Sequence, residues 1–368
     1  MDLYSIRILR SHPLRLVLTV GGIALCVMLI LFLFSVYRGV ADGSVEYIRE
    51  NKADLWVLQR NATNILRGSS LMSTGHGIFI RAIPRVKSAS AVLLLLSTVR
   101  KKDQVGTVFL AGFDPVERLG GPPQLVDGRS VMADDEIVLD KSFASKLHLK
   151  VGDSVEIQDD TLRIVGLSTG TNAFVIQYAF VSLRRGQSLA GIPSIVTCFL
   201  VRVKEGNNIP RVADEIREAL PGMEVYDQQT FLKNNIREME SGFLPIFYTI
   251  AAIGAIVLTA ILSLLLSINI LERRKDFAVL KTLGSPKGFL PRIVIEQALL
   301  ISSAGDLAGL ILFFPVVALI EEISPEISTI SSLAHIVVVM LGVWLMSLLS
   351  SLISVQRLRH IYPLEAFS

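Results

Sequence analysis

Residues 241–271 read SGFLPIFYTIAAIGAIVLTAILSLLLSINIL, 31 residues without a charge between Glu240 and Glu272. A helix crossing the hydrocarbon core of a bilayer needs roughly 20 apolar residues. A helix in a soluble core rarely runs that long without a polar face. Three further runs meet the same criterion: Leu16–Tyr37, bounded by Arg15 and Arg38, then 293–320 and 335–356. The chain has 368 residues, of which 51% are hydrophobic and 19% charged. Soluble domains carry about 25% charge, so this composition excludes a disordered or purely soluble chain. The first run is too long for the apolar core of a signal peptide and is expected to stay as an anchor.

The flanking charges set an orientation. Arg7, Arg10 and Arg15 precede the first run; Arg273, Arg274, Lys275, Lys281, Lys287 and Arg292 lie between the second and third; Arg357 and Arg359 follow the fourth. The connection 321–334 holds Glu321, Glu322 and Glu326 and neither Lys nor Arg. Positive residues stay inside, so both termini and the 272–292 loop are expected in the cytoplasm and residues 42–240 outside, across the inner (plasma) membrane. The expected organisation is a terminal segment at 1–15, spans at 16–41, 241–271, 293–320 and 335–356, an extracytoplasmic domain at 42–240, loops at 272–292 and 321–334, and a tail at 357–368.

The inserted segment carries 24 basic and 24 acidic residues between Asp42 and Ser241. It has no excess charge for nucleic acid. Strand-like runs at 53–58, 107–113, 135–140, 153–157, 162–167, 196–203 and 223–226 alternate with helical stretches at 141–149 and 209–220, which predicts an α/β domain. Residues 61–78, rich in Asn, Ser, Thr and Gly, read as loop. From Gln228 a helix is expected to run into the second span. Cys26 and Cys198 lie too far apart in the pattern to suggest a disulfide framework.

Enzymatic signatures are missing. No G-x-x-x-x-G-K-[ST] phosphate loop occurs, no His or Cys pair has metal-ligand spacing, and the five histidines at 12, 76, 148, 335 and 360 are scattered. No cofactor is therefore expected in this chain. Intramembrane glycines, Gly21 with Gly22 and Gly305 with Gly309, allow close helix approach, either within one subunit or between copies. Asp306 lies 14 residues beyond Arg292, about 21 Å along a helix. An ionisable group at that depth is a candidate functional residue; the alternatives are a satisfied interhelical hydrogen bond or a place near the outer headgroups. Glu296 lies nearer the inner end and reads as structural more than functional.

The loop after the second span reads ERRKDFAVLKTLGSPK from Glu272 to Lys287. Phe277, Leu280 and Leu283 recur every third residue, and Gly284 followed by Pro286 stops the pattern. A short amphipathic helix with a basic entry fits two roles, an interfacial anchor or a docking helix for a cytoplasmic protein.

The longer stretch ERRKDFAVLKTLGSPKGFLPRIVIEQALL (272–300) resembles the second cytoplasmic segment of MacB/FtsX-type permeases, the type VII class of ABC transporters. DEIVLDKSFASKLHLKVGDSVEI (135–157) is similar to the extracytoplasmic domain of that superfamily, and the order of one span, a large insert and three spans agrees. The size is similar to that of separate-permease members of DevC type or heme-exporter type. The resemblance implies a homodimer working with separate ATP-binding-cassette ATPase subunits, which hold the ATP and Mg. It implies a coupling helix formed by Glu272, Arg273, Arg274, Lys275, Phe277, Leu280, Lys281, Leu283 and Gly284, and an amphipathic helix along the inner surface at Tyr4–Pro13. It further implies movement of a hydrophobic or amphipathic substrate from the outer leaflet or periplasm, contact with membrane lipid, and a possible periplasmic adaptor. An FtsX-like transmitter that activates an envelope hydrolase is the alternative. Relatives often carry Gly-Gly where this chain has Gly305-Asp306.

Overall fold

The computed structural model describes residues 13–65, 70–102, 104–173, 176–272, 275, 278–279, 282, 285–286, 288–323 and 332–358. The elements follow in order. Helix α1 (Pro13–Ser44) leads into a short α2 (Glu46–Glu50). Next come β1 (Leu55–Gln59), β2 (Met72–Ser73), α3 (His76–Ala82), β3 (Val86–Lys101), β4 (Gln104–Phe113), β5 (Gln124–Gly128) and β6 (Glu136–Asp140). After α4 (Lys141–Lys146) lie β7 (Ser154–Ile157), β8 (Asp160–Thr169), β9 (Asn172–Ala173) and β10 (Ile176–Ser182). Then follow α5 (Leu183–Ala190), β11 (Ile195–Val196), β12 (Cys198–Val203), α6 (Ile209–Ala219) and β13 (Met223–Asp227). Three long helices close the chain: α7 (Gln228–Glu272), α8 (Phe289–Ile323) and α9 (Leu333–Leu358).

Among the described residues, four helical segments are long and apolar enough to cross a membrane: Leu16–Ser44, Leu244–Glu272, Phe289–Ile323 and Leu333–Gln356. Helices are the natural outcome for such runs, because lipid offers the backbone no hydrogen-bond partners. The large α/β insertion lies between the first and second, so the fold class read from the sequence holds. The chain divides into two compact units, a helical one and one formed chiefly by Gly39–Phe243.

In the helical unit, Ile23, Val27 and Ile30 of α1 share a core with Leu258 and Leu262 of α7, Ile301 and Phe313 of α8, and Val339 and Val343 of α9. Hydroxyls add interhelical bonds: Ser347 donates to the Ala298 carbonyl at 2.9 Å and Ser354 to the Ser263 carbonyl at 3.2 Å. Such contacts matter in lipid, where apolar surface alone gives no preference between protein and solvent.

The inserted unit is built on β3, whose 16 residues serve two substructures. Its first half pairs with β12, from Val86 to Val92, in the order β13-β1-β12-β3. Its second half pairs with β4, and β7 joins the other edge at Val99 and Arg100. The path β3-β4-β10-β6-β8-β7 thus returns to β3 and closes a six-stranded ring. Closure removes exposed edges. Parallel steps occur at β4–β10 and β6–β8.

The period-2 alternation of strands sorts the cores. Leu55 and Val57 of β1 face α3 and α6, together with Val212 and Ile216. Trp56 and Leu58 face the opposite way, into an aromatic core with Tyr47, Tyr178, Phe180 and Phe231. In the ring, Val108 and Leu110 of β4 and Ala179 and Val181 of β10 point inward, toward Phe143 of α4. Asp140 caps α4 by accepting from the Ser142 amide at 2.7 Å.

Two local expectations change. Residues 61–78 are not loop throughout: β2 lies at Met72–Ser73 and α3 begins at His76. The run 196–203 is not one strand. It breaks at Thr197, whose hydroxyl accepts from the Leu94 amide at 2.9 Å, so that β11 turns to pair with β2.

Candidate coupling site

Two groups of residues are candidates for a coupling role, one in each unit. In the inserted unit the group is centred on Gln228, the first residue of α7. The Trp56 indole N–H donates to Gln228 Oε1 at 2.7 Å, and Gln228 Nε2 donates to the Ile48 carbonyl at 2.5 Å. The two contacts fix the amide orientation, because an indole only donates and a carbonyl only accepts. The Gln228 backbone N–H also donates to the Asp54 carbonyl at 3.2 Å. One side chain therefore ties the start of α7 to α2, the short helix after α1, and to β1.

Rings and amides reinforce that tie. Trp56 stacks on Phe231 of α7 with centroids 4.8 Å apart, and Tyr47 of α2 stacks on Tyr178 of β10 at 4.4 Å. One turn below Phe231, the fully buried Asn235 accepts from the Ile65 amide at 3.1 Å and donates to the Phe231 carbonyl at 2.8 Å. Tyr47 donates to the Gly120 carbonyl at 2.7 Å, and Asn51 accepts from the Gly120 amide at 2.8 Å. Burial pushes the Tyr47 hydroxyl well above its ordinary value, so it is a donor at every accessible pH. None of these residues was singled out from the sequence. Gln228 looked like one polar residue at a helix start, and its partners lie 172 and 180 positions away.

In the helical unit, the segment after α7 carries the residues assigned to coupling. Arg273, Arg274, Phe277, Leu280, Lys281, Leu283 and Gly284 lie outside the described residues. Of the rest, Glu272 and Lys275 are exposed, whereas Ala278 is fully buried in a cluster with Ile270 of α7 and Ile293 and Val294 of α8. Residues 1–12, which include most of Tyr4–Pro13, also lie outside.

Glu296 pairs with Arg292 one turn earlier at 3.0 Å. Asp306 differs. It is fully buried, and neither carboxylate oxygen meets full hydrogen-bond geometry with another described residue. The Trp344 indole of α9 is the polar group that interacts with it. Beside it, Gly305 and Gly309 are occupied by the same chain: a Cβ on Gly305 would overlap Ile23, and one on Gly309 would lie 2.8 Å from the Ala24 carbonyl and from Val27. These two glycines seat α8 on α1. Gly21 and Gly22 have no atom within 4 Å of such a Cβ.

Two family models match the chain. The MacB-like periplasmic core domain model matches residues 16–219 and the FtsX-like permease C-terminal model matches 248–363. A relative from Mycobacterium tuberculosis, named an uncharacterized ABC transporter permease, is 24% identical over 366 residues, covering 99% of this chain and 98% of its own. Another of that description, from Methanocaldococcus jannaschii, is 28% identical over 189 residues, covering 48% of this chain and 46% of its own. The periplasmic region of MacB from Actinobacillus actinomycetemcomitans aligns with a TM-score of 0.41 at 12% identity, covering 52% of this chain and 95% of that one. The extracellular domain of the ABC-type transporter YknZ from Gram-positive bacteria gives 0.38 at 13%, covering 48% of this chain and 100% of that one. The chain belongs to the MacB/FtsX-like permeases of ABC transporters, the type VII class, and is a multi-pass membrane protein with a MacB-like domain inserted between its first two spans.

Proposed function

We propose that this permease carries the movement of a partner ATPase into its inserted domain, to export or extract a hydrophobic or amphipathic substrate from the outer leaflet or periplasm. The observation that carries the proposal is the Gln228 tie. Helix α7 is unbroken from Gln228 to Glu272 and α1 from Pro13 to Ser44. The start of α7 and the short helix α2 that follows α1 lie in one hydrogen-bonded aromatic core, so in this reading a displacement of α7, or of α1 through α2, reaches the sheet.

The ATP and Mg belong to separate ATPase subunits in this scheme, since this chain has no phosphate loop. The docking surface is the amphipathic segment Glu272–Gly284, with Leu280 and Leu283 as its apolar contacts and Arg273, Arg274, Lys275 and Lys281 as its cations. Buried Ala278 joins that segment to the ends of α7 and α8. The orientation places both termini and this segment in the cytoplasm, by the distribution of Lys and Arg. The working unit is a homodimer, with Gly21 and Gly22 open to close approach, and a periplasmic adaptor completes an export route where a second membrane exists.

The test is the chain purified with its ATPase. Leu280→Asp and Leu283→Asp are expected to remain in the membrane and to lose substrate-stimulated ATP hydrolysis. Retained stimulation in both variants removes this segment from the mechanism.

A further inference from the structure

The inserted unit has an open groove made of two adjoining hollows, of about 490 and 710 Å³, with Lys52, Asp54 and Ile209 lining both. The smaller half is lined by Lys52, Lys87, Arg202 and Lys204 against Asp54 and Glu205. One Asp54 oxygen is already engaged, accepting the Val203 amide at 2.7 Å. Lys204 donates to the Pro84 carbonyl at 2.6 Å and Arg202 to the Lys52 carbonyl at 3.3 Å. Neither the Lys52 nor the Lys87 ammonium group has an ion-pair or hydrogen-bond partner among the described residues.

Lys87 comes to this place through a defect in the ladder. Arg202 pairs with Ser88 and Val203 with Val86, which leaves Lys87 as the extra residue of a β-bulge. Bulges re-aim side chains. Here the effect is to add a cation to a lining of four basic and two acidic side chains, which leaves a positive excess that favours an anion.

The larger half is different. Ile209, Pro210 and Ala213 of α6 line it with Leu55, and its carboxylates are engaged within the domain. Asp214 pairs with Arg217 at 2.6 Å, and Asp227 accepts the amides of Gln229 and Thr230 at 3.0 Å. Gln228 forms part of the same wall.

We propose that this groove binds an amphipathic anion, with a phosphate or carboxylate head against Lys52, Lys87 and Arg202 and an apolar part along Ile209, Pro210 and Ala213. Its position against Gln228 gives the bound molecule a direct bearing on the tie between α2 and α7. Its role as cargo rests on the export reading above; its binding does not, and is measured without the ATPase.

The probe is decyl phosphate, bound to the full chain in phosphatidylcholine nanodiscs and read by equilibrium dialysis against empty discs. Expected is binding tighter than that of hexyl phosphate or inorganic phosphate, because buried methylenes add transfer free energy. Lys52→Glu/Lys87→Glu is expected to weaken it at least about tenfold through loss of charge-assisted contacts, and decyl maltoside to bind no better to the wild type than to this variant. Equal affinity for inorganic and decyl phosphate, or unchanged affinity in the double variant, overturns the assignment. Competition by added phosphatidylglycerol would trace the ligand to bilayer lipid; its absence, to a soluble amphiphile. Both keep the groove. Decyl phosphate binding that survives Leu283→Asp separates this proposal from the coupling reading, and its failure leaves that reading intact.

Discussion

Trp56 and Gln228 lie 172 residues apart in sequence and are joined by a 2.7 Å hydrogen bond that locates the start of α7 on β1. The same amide holds Ile48 of α2, so one residue fastens the two helices that lead to the first and second spans. Gln228→Leu leaves the Trp56 N–H and the Ile48 carbonyl without their partner. The expected loss of stability is about 1–3 kcal/mol, with substrate-stimulated ATP hydrolysis reduced more than basal hydrolysis. Gln228→Glu keeps the acceptor for Trp56 and loses the donor to Ile48, and an intermediate phenotype is expected.

Packing of α8 on α1 is tested at the glycines. Gly309→Ala forces a methyl against the Ala24 carbonyl and Val27. Overpacking of this kind costs about 1–3 kcal/mol, read as a lowered melting temperature in detergent. Gly21→Ala and Gly22→Ala meet no neighbour, so their effect on the monomer is expected within about 0.5 kcal/mol.

Asp306 separates stability from function. A fully buried carboxylate whose oxygens meet no full hydrogen-bond geometry among the described residues is destabilising where it lies. Asp306→Leu and Asp306→Asn are expected to melt no lower than the wild type and to transport less. Reduced stability with full transport in both would make Asp306 a structural residue.

Acid tolerance of the inserted domain is expected to depend on Glu136. The hydrogen bond from Arg129 holds its carboxyl at about 2, below the usual 4.5, with help from the Met132 and Ala133 amides and against burial. A depressed carboxylate contributes stability that is complete above its unfolded value. That contribution is lost as pH falls from about 4.5 toward about 2. Because Arg129 is half-exposed, its size is discounted to about 2 kcal/mol. Glu136→Gln is expected to be less stable than wild type near neutral pH, with the difference vanishing at the acid end. A constant difference across the range contradicts the assignment.

The spans were legible because 31 uncharged residues at 241–271 admit few alternatives. The MacB-like sequence at 135–157 also shows in the structure as β6, α4 and β7. Among the elements that escaped were strands buried on both faces. In β10, Tyr178 and Phe180 enter the aromatic core while Ala179 and Val181 enter the ring, so no polar alternation marks the strand. The first half of β3 hid for a related reason: its small residues Ser88–Ala91 pair with β12 and carry little β signal. The Gln228 tie depends on contacts between distant segments, which neither periodicity nor motif spacing records. Asp306 was visible as an intramembrane charge, but its burial and its nearness to Trp344 depend on the packing of α8 in the helical unit.

The most direct measurement uses the two tryptophans of the chain, Trp56 in the inserted domain and Trp344 in α9. Fluorotryptophan incorporated into the permease alone, followed by fluorine NMR of the complex with its ATPase, reports on the Gln228 tie through Trp56. ATP binding is expected to shift the Trp56 resonance in the wild type and to leave it in place in Leu283→Asp. A Trp56 signal that stays fixed while the wild-type complex binds ATP and responds to substrate would contradict transmission into the inserted domain.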